Sequence, residues 1–177
     1  VVNPNRIDDK SGLGYLAGCG VAFMFAVGVC KKLKEKDPNF IPPDLMNSLD
    51  LVALGTVCDV VPLVSLNRAF VKQGLKVMQN SQNKGLNYML HKLQKDNEVD
   101  TFTLGFILGP RINAGGRVGE SDLGSKLLTS SDNEEIEKLY NRLHELNEER
   151  KRIELNIFEE AMAMAENQNN NVIIVSS

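Results

Sequence analysis

Residues 109 to 119 read Gly109-Pro110-Arg111-Ile112-Asn113-Ala114-Gly115-Gly116-Arg117-Val118-Gly119, and we call this stretch the Arg-Ile-Asn loop. Arginine presents a planar fork of donors that suits phosphate, while glycine accepts positive φ angles and lets the backbone approach a ligand closely. Backbone amides in such a turn add a concavity that binds anions. The loop therefore indicates a site for phosphate or for a nucleic-acid backbone. The alternative is a glycine-rich turn that carries two surface arginines.

A second informative stretch runs from Leu51 to Leu63 and reads LVALGTVCDVVPL, with Asn67-Arg68 shortly after it. Asp59 lies among apolar residues in this stretch, and a carboxylate that leaves water needs a partner. A hard divalent cation would meet that charge, which makes Asp59 a candidate metal ligand. From spacing alone, an aspartate that caps a helix or turn is the alternative.

Taken in order, the opening VVNPNR of residues 1–6, the Asp59 stretch and the Arg-Ile-Asn loop resemble the RecJ exonucleases of the DHH phosphoesterase superfamily. The resemblance extends to the run LNEERK of residues 146–151. It implies a metal-dependent exonuclease that hydrolyses phosphodiester bonds of single-stranded DNA from 5′ to 3′ in recombination and repair. Cys58 departs from the family pattern, in which alanine is the expected residue.

The resemblance also implies roles for particular residues. Asp59 matches the last metal-binding motif of the family, which makes it a catalytic metal ligand of a two-metal site for Mn²⁺ or Mg²⁺. Arg111, Asn113 and Arg117 are expected to bind phosphates or sugar of the substrate. Single-stranded DNA is the expected partner, together with a single-strand-binding protein and a helicase.

The family's aspartate-rich first motif and its Asp-His-His triplet do not occur in these 177 residues. We therefore expect an internal segment of a longer enzyme that is inactive by itself. The expected fold class is α/β: the C-terminal part of a DHH phosphoesterase core, largely helical in this segment, with a long connecting helix. Residues 1–130 would belong to the catalytic domain, 131–168 to the inter-domain helix and 169–177 to the first strand of a C-terminal domain.

Two other functions stay open. The chain is either a non-catalytic helical interaction module, whose long helix is the binding element, or part of another DHH phosphoesterase that acts on short RNA. The motifs encoded upstream would discriminate between an enzyme and an interaction module.

Composition and charge limit the class of protein and the way in which it could bind DNA. The hydrophobic share of 42% and charged share of 24% are ordinary for a globular protein, and the net charge of −3 does not favour DNA binding by the whole surface. A local cluster of Arg111, Arg117 and Lys126 would have to supply any DNA contact. Three cysteines without a Cys-x-x-Cys pair indicate neither a disulfide framework nor a zinc site, which suits the cytoplasm.

Apolar spacing predicts helices over residues 15–36, 44–52, 67–79, 85–95 and 123–128, and an apolar helical turn over 103–108. The uncharged part of the first helix, residues 14–30, is short and rich in glycine and alanine, which favours a buried helix over a membrane span. Residues 54–61 are predicted to form a turn around Asp59, because Gly55, Thr56 and several valines disfavour a helix.

The longest helix is expected from Asp132 to about Glu166, because apolar residues recur there at spacings of three, four and seven. The charged run of residues 148–152 is predicted to be a solvated face with helical charge pairs. His91 and His144 are likewise expected on solvated surface. Residues 172–175 are predicted to form a strand.

Overall fold

The computed structural model describes residues 2–94, 99–117 and 119–165, and these residues form a helical structure. Its α-helices are α1 (Gly18–Lys36), α2 (Leu49–Cys58), α3 (Ser65–Met78), α4 (Lys84–Lys92), α5 (Gly109–Ile112), α6 (Leu123–Thr129) and α7 (Asn133–Ala165). Short 3₁₀ segments cover Leu45–Ser48 and Gly115–Arg117, and a π-helical segment covers Thr103–Leu108.

The predicted largely helical character is confirmed, whereas the described ranges contain no strand that would show an α/β fold. The strand predicted at residues 172–175 lies outside them. In the part of the chain that is described, no helix is long and apolar enough to cross a membrane.

Helix α2 corrects the predicted turn around Asp59. It continues to Cys58, so the turn predicted over residues 54–61 is wrong, and Asp59 is the C-cap. Tertiary contact outweighs the poor helix propensity of Gly55, because a Cβ at this glycine would lie 2.7 Å from the Sγ of Cys19 in α1. Thr56 is fully buried, and its hydroxyl donates to the carbonyl of Val52 at 2.7 Å. A helix that is apolar all round is stable when neighbours cover it.

Helix α1 is only partly covered, so the prediction of a buried helix holds for one face alone. Phe23 packs edge-on against Phe70 of α3, with ring centroids 5.4 Å apart. On the opposite side, the side chain of Phe25 is 57% exposed. Together with Leu16, Leu49 and Val52, the covered face forms a small apolar cluster.

The larger apolar core lies between α2, α3, α4, α6, α7 and the π-helical segment. Its fully buried members are Ala53, Leu86, Met89, Leu104, Leu108, Leu127 and Leu143. Helix α7 begins at Asn133, directly after the predicted first residue Asp132, whose Oδ1 accepts from the backbone N–H of Glu134 at 2.8 Å. Its first half is buried at Ile136 and Tyr140, whereas apolar side chains farther along, such as Phe158, are largely exposed. The core therefore uses only the first half of the predicted apolar stripe.

Gly74 allows α3 to cross α2 in close contact. A Cβ at this position would lie 2.2 Å from the carbonyl oxygen of Leu49 and 2.4 Å from the Cβ of Ala53. Because backbone cannot yield there, we expect Gly74→Ala to lower the free energy of unfolding by about 3 kcal/mol, the upper end for overpacking. Urea unfolding followed by circular dichroism measures the change.

Gly28→Ala in α1 is the matched control, because a Cβ there would meet nothing within 4 Å. Alanine is the better helix former, so this variant should be more stable than the parent by up to about 1 kcal/mol. If both variants unfolded at the same urea concentration, the close crossing of α2 and α3 would be contradicted.

Candidate active site

An open cavity of about 570 Å³ lies where the end of α2 meets the π-helical segment, α5 and α7. The structure brings two of the predicted site residues, Asp59 and Asn113, into its wall. Arg150 of α7 also lines it, together with the largely apolar set Leu51, Leu54, Gly55, Cys58, Gly105, Gly109, Pro110, Ile112 and Leu128. The polar part of the wall therefore contains a carboxylate, an amide and a guanidinium.

Asp59 occupies the C-terminal end of α2, where its backbone N–H donates to the carbonyl of Gly55 at 2.9 Å. The residue is exposed, and Val60 beside it is 86% exposed, so the expected apolar surroundings are wrong. The last carbonyls of a helix carry partial negative charge, and the carboxylate adds to it. This corner of the cavity therefore favours a cation.

Asp59 is a single candidate ligand in this structure. No group of three or more His, Cys, Asp or Glu side chains that could hold a metal occurs within the described residues. The carboxylate fits a hard divalent cation by its chemistry, but such a cation needs several further oxygen ligands. A two-metal site at this position would need ligands from outside the described residues.

Asn67 secures the segment that follows Asp59. Its side chain is fully buried, and the Nδ2 atom donates to the carbonyls of Tyr15 at 2.8 Å and Pro62 at 3.0 Å. Val60 has a φ of 54°, a left-handed conformation that a β-branched residue rarely adopts. The turn beyond Asp59 is thus tied to α3 and to the start of the chain, which positions the carboxylate at the end of α2.

Asn113 caps the short helix α5, and its backbone N–H donates to the carbonyl of Gly109 at 3.0 Å. Its side-chain oxygen lies over Gly116, where an added Cβ would be 3.3 Å from Oδ1. Gly115 is needed for another reason, because a Cβ there would be 2.3 Å from the carbonyl oxygen of Glu120. Of the described residues in the loop, it is Gly119 that has a positive φ, at 83°. The glycine pair therefore serves close approach.

Arg111 does not line the cavity. Its side chain is only 11% exposed, and its guanidinium donates to the carbonyl of Ile107 at 2.7 Å and lies 4.0 Å from the carboxylate of Glu148 in α7. The contact with Glu148 joins α5 to α7. Phosphate binding by Arg111 stays a prediction, and the geometry adds a positioning role for the loop.

Arg117 ends the 3₁₀ segment that follows Asn113, but its side chain lies outside what the structure describes. Its predicted phosphate contact stays a prediction. Lys126, the third member of the expected basic cluster, forms an exposed ion pair of 2.7 Å with Asp122 on its own helix. Glu120 accepts hydrogen bonds from Arg142 of α7, which lower the pKa of the Glu120 carboxyl and tie the end of the loop to α7.

A polar row on α7 faces α5 and was not expected from the sequence. The predicted solvated face of residues 148–152 is confirmed for Lys151, which pairs with Glu148 at 2.8 Å. Arg150 also forms a predicted helical charge pair, with Glu154 at 2.8 Å, but it is not fully solvated, because its Nε atom is buried. His144 is also not plain surface, because its ring stacks on Tyr140 and its Nδ1 is buried. The burial of the Arg150 Nε atom had no local signal, because the pair with Glu154 one turn on satisfies the helical charge pattern.

Cys58 contributes a protonated thiol to the wall. Burial, the neighbouring Asp59 and Cys19 raise the pKa of this thiol to about 11. Its Sγ donates weakly to the carbonyl of Leu104 at 3.6 Å, and a Cβ at Gly109 would lie 2.5 Å from it. Because metal ligands and nucleophiles are thiolates, Cys58 is a packing residue at neutral pH.

The fold and the site together define a helical protein with one open cavity. A carboxylate, an amide and a guanidinium line that cavity. None of the protein-family models matches the chain. The chain is 38% identical over 172 residues to the single-stranded-DNA-specific exonuclease RecJ of Salmonella typhimurium. The aligned region covers 94% of this chain and 30% of that protein. RecJ of Escherichia coli is 37% identical over 172 residues with the same coverage.

Solved structures agree with these relatives. The match to a crystal structure of exonuclease RecJ bound to manganese covers 88% of this chain and 37% of the RecJ chain, with a TM-score of 0.73 and 31% identity. For RecJ of Thermus thermophilus in complex with Mn²⁺, the match covers 84% of this chain and 22% of the RecJ chain, with a TM-score of 0.71 and 32% identity. This chain is therefore a relative of the RecJ exonucleases, which confirms the resemblance seen in its motifs. It spans about 30% of the length of the curated relatives that it matches.

Proposed function

We propose that this chain is a segment of a RecJ-type exonuclease that hydrolyses phosphodiester bonds of single-stranded DNA from the 5′ end, with Mn²⁺ or Mg²⁺ as cofactor. One observation carries the proposal: Asp59 and Asn113, from two separate motifs of the RecJ resemblance, line the same cavity. In this proposal the helical part completes an α/β DHH phosphoesterase core whose other residues lie outside this chain.

Each polar residue of the cavity has a separate task in this proposal. Asp59 binds a divalent cation at the negative end of α2, and two such cations would activate water and stabilise the leaving oxygen. Asn113 donates to or accepts from the sugar-phosphate backbone. Arg111 keeps the Arg-Ile-Asn loop against α7 through Glu148. The apolar remainder of the wall limits water around the reacting phosphate, which strengthens these interactions.

The remaining proposals concern the longer protein. Residues 1–130 belong to its catalytic domain, residues 131–168 join that domain to a C-terminal domain, and residues 169–177 begin the latter. A single-strand-binding protein and a helicase are its proposed partners, and the cytoplasm is its proposed location. Three cysteines without disulfides support a reducing compartment.

Cleavage by the full-length protein tests the function. We expect single-stranded oligonucleotides labelled at the 5′ end to lose the label as the first product, whereas those labelled at the 3′ end release it last. Removal of divalent cations by a chelator should stop the reaction, and added Mn²⁺ should restore it. Failure to cleave single-stranded DNA with either cation would contradict the proposal. Preferential cleavage of short RNA would favour the other phosphoesterase function.

Arg117 has its own prediction. If it binds a backbone phosphate, Arg117→Ala should weaken the affinity of the full-length protein for all DNA sequences about equally. The slope of log affinity against log salt concentration should fall by about 0.7, the value for one phosphate contact of a single strand. Lys72→Ala, which removes the same charge from the exposed side of α3, is the control and should leave the slope unchanged. Parallel lines for wild type and Arg117→Ala would exclude the contact.

A further inference from the structure

Arg150 is the positively charged residue among the described residues of the cavity wall. It projects from α7, and its side chain is 26% exposed. One terminal nitrogen, Nη1, donates to the carboxylate of Glu154 at 2.8 Å. The Nε atom is buried and has no hydrogen-bond partner. A buried donor without a partner is costly. The Nε atom of Arg111 is in the same state, so Arg150 is distinguished by its place in the cavity wall, where its guanidinium can meet an acceptor.

The surroundings of Arg150 indicate an anion as that acceptor. Across the wall, Asp59 provides negative charge at the end of α2, and Asn113 provides an uncharged amide. A DNA phosphate that accompanies a divalent cation has the complementary arrangement, because the cation meets Asp59 and the phosphate oxygens meet donors. Arg111, the nearest arginine in sequence to Asn113, donates to the carbonyl of Ile107 and lies 4.0 Å from Glu148, and it does not line the wall.

We propose that Arg150 is a substrate-binding residue that donates to a phosphate of the DNA strand in this cavity. Glu154 compensates its charge when no strand is bound. The inference rests on the proposed function and adds Arg150, which is not among the site residues predicted from the sequence. It also gives the start of the exposed half of α7 a role in contact with the substrate.

The ion pair with Glu154 is not an obstacle to phosphate binding. Glu154 is 68% exposed, and an exposed pair at this helical spacing contributes little because water and salt screen it. Hydrogen bonds between an arginine and a phosphate are charge-assisted and frequently two-pronged, which makes them stronger and more directional. A phosphate in the cavity would therefore compete successfully for the guanidinium.

Binding and turnover of the full-length protein test the inference. We expect Arg150→Ala to weaken binding of a single-stranded oligonucleotide about tenfold or more, the range for a lost hydrogen bond to a charged group. The salt slope should fall by about 0.7, as for one phosphate contact. Arg150→Lys should recover only part of the affinity, because an ammonium lacks the planar fork. Glu154→Gln should leave affinity unchanged or increase it.

Arg152→Ala is the matched control, because Arg152 lies on α7 two residues away, is exposed and does not line the cavity. Equal affinity and equal salt slope for the Arg150→Ala and Arg152→Ala proteins would overturn the inference. If Arg150→Ala does not fold by circular dichroism, the affinities of Arg150→Lys and Glu154→Gln decide instead, with Arg150→Lys expected to bind more weakly than Arg152→Ala. A loss of affinity in Glu154→Gln equal to that in Arg150→Lys would mean that the pair is structural, and would overturn the inference too.

The same measurements separate this inference from the proposed function. A wild-type protein that neither binds nor cleaves single-stranded DNA contradicts the proposed function. A wild-type protein that does both, together with Arg150 variants that behave like Arg152→Ala, contradicts only the role of Arg150.

Discussion

Asp59→Asn is expected to abolish cleavage of single-stranded DNA by the full-length protein while the affinity for DNA stays close to that of wild type. Asparagine keeps the size of the side chain and removes its charge, so a hard divalent cation loses an anionic ligand. Phosphate contacts elsewhere hold the strand and do not need that charge. We expect a loss of at least about 10³-fold in kcat, because the cation both generates the nucleophile and stabilises the leaving oxygen.

Asp37→Asn provides a control at the end of another helix. Asp37 is the exposed C-cap of α1, as Asp59 is the exposed C-cap of α2. If Asp59 were only a cap, both substitutions would have the same small effect on stability and none on cleavage. Activity should be measured over a range of Mn²⁺ concentrations. Normal cleavage by the Asp59→Asn protein at low Mn²⁺ would show that the carboxylate is not a metal ligand.

The 177-residue chain by itself is expected to have negligible nuclease activity, in contrast to the full-length protein. Asp59 is the single carboxylate in the described wall of the cavity, and one carboxylate does not hold two cations. Both proteins should be incubated at equal molar concentration with a labelled single-stranded oligonucleotide and Mn²⁺. A circular dichroism spectrum with helical minima establishes that the shorter chain is folded during the assay.

Turnover by the isolated chain at a rate comparable to the full-length protein would contradict this prediction. It would mean that the cavity around Asp59 is sufficient for metal binding and hydrolysis. The Asp59→Asn version of the isolated chain then identifies whether the activity belongs to this cavity or to a contaminating nuclease.

Local sequence was sufficient for most of the helices. The apolar spacing of α7 and its start near Asp132 are properties of neighbouring residues, and the predicted long helix is confirmed. The predicted turn over residues 54–61 is wrong for the opposite reason. Glycine, threonine and valine weaken a helix locally, but contact between Gly55 and Cys19 of α1 stabilises it over a long separation in sequence. Propensity does not include such contacts.

The candidate site also has features that local sequence predicts and features that depend on tertiary contacts. Its motifs are local, so the sequence by itself determined that this chain is related to the RecJ exonucleases and that Asp59, Arg111, Asn113 and Arg117 are its candidate residues. Only the tertiary structure decided which side chains share a cavity. It places Asp59 at an exposed helix end, turns Arg111 towards α7 and brings in Arg150. Helical periodicity predicts which residues lie on one face of a helix. Which element packs against that face depends on how the helices cross, and close approach at glycines such as Gly74 and Gly109 determines the crossing.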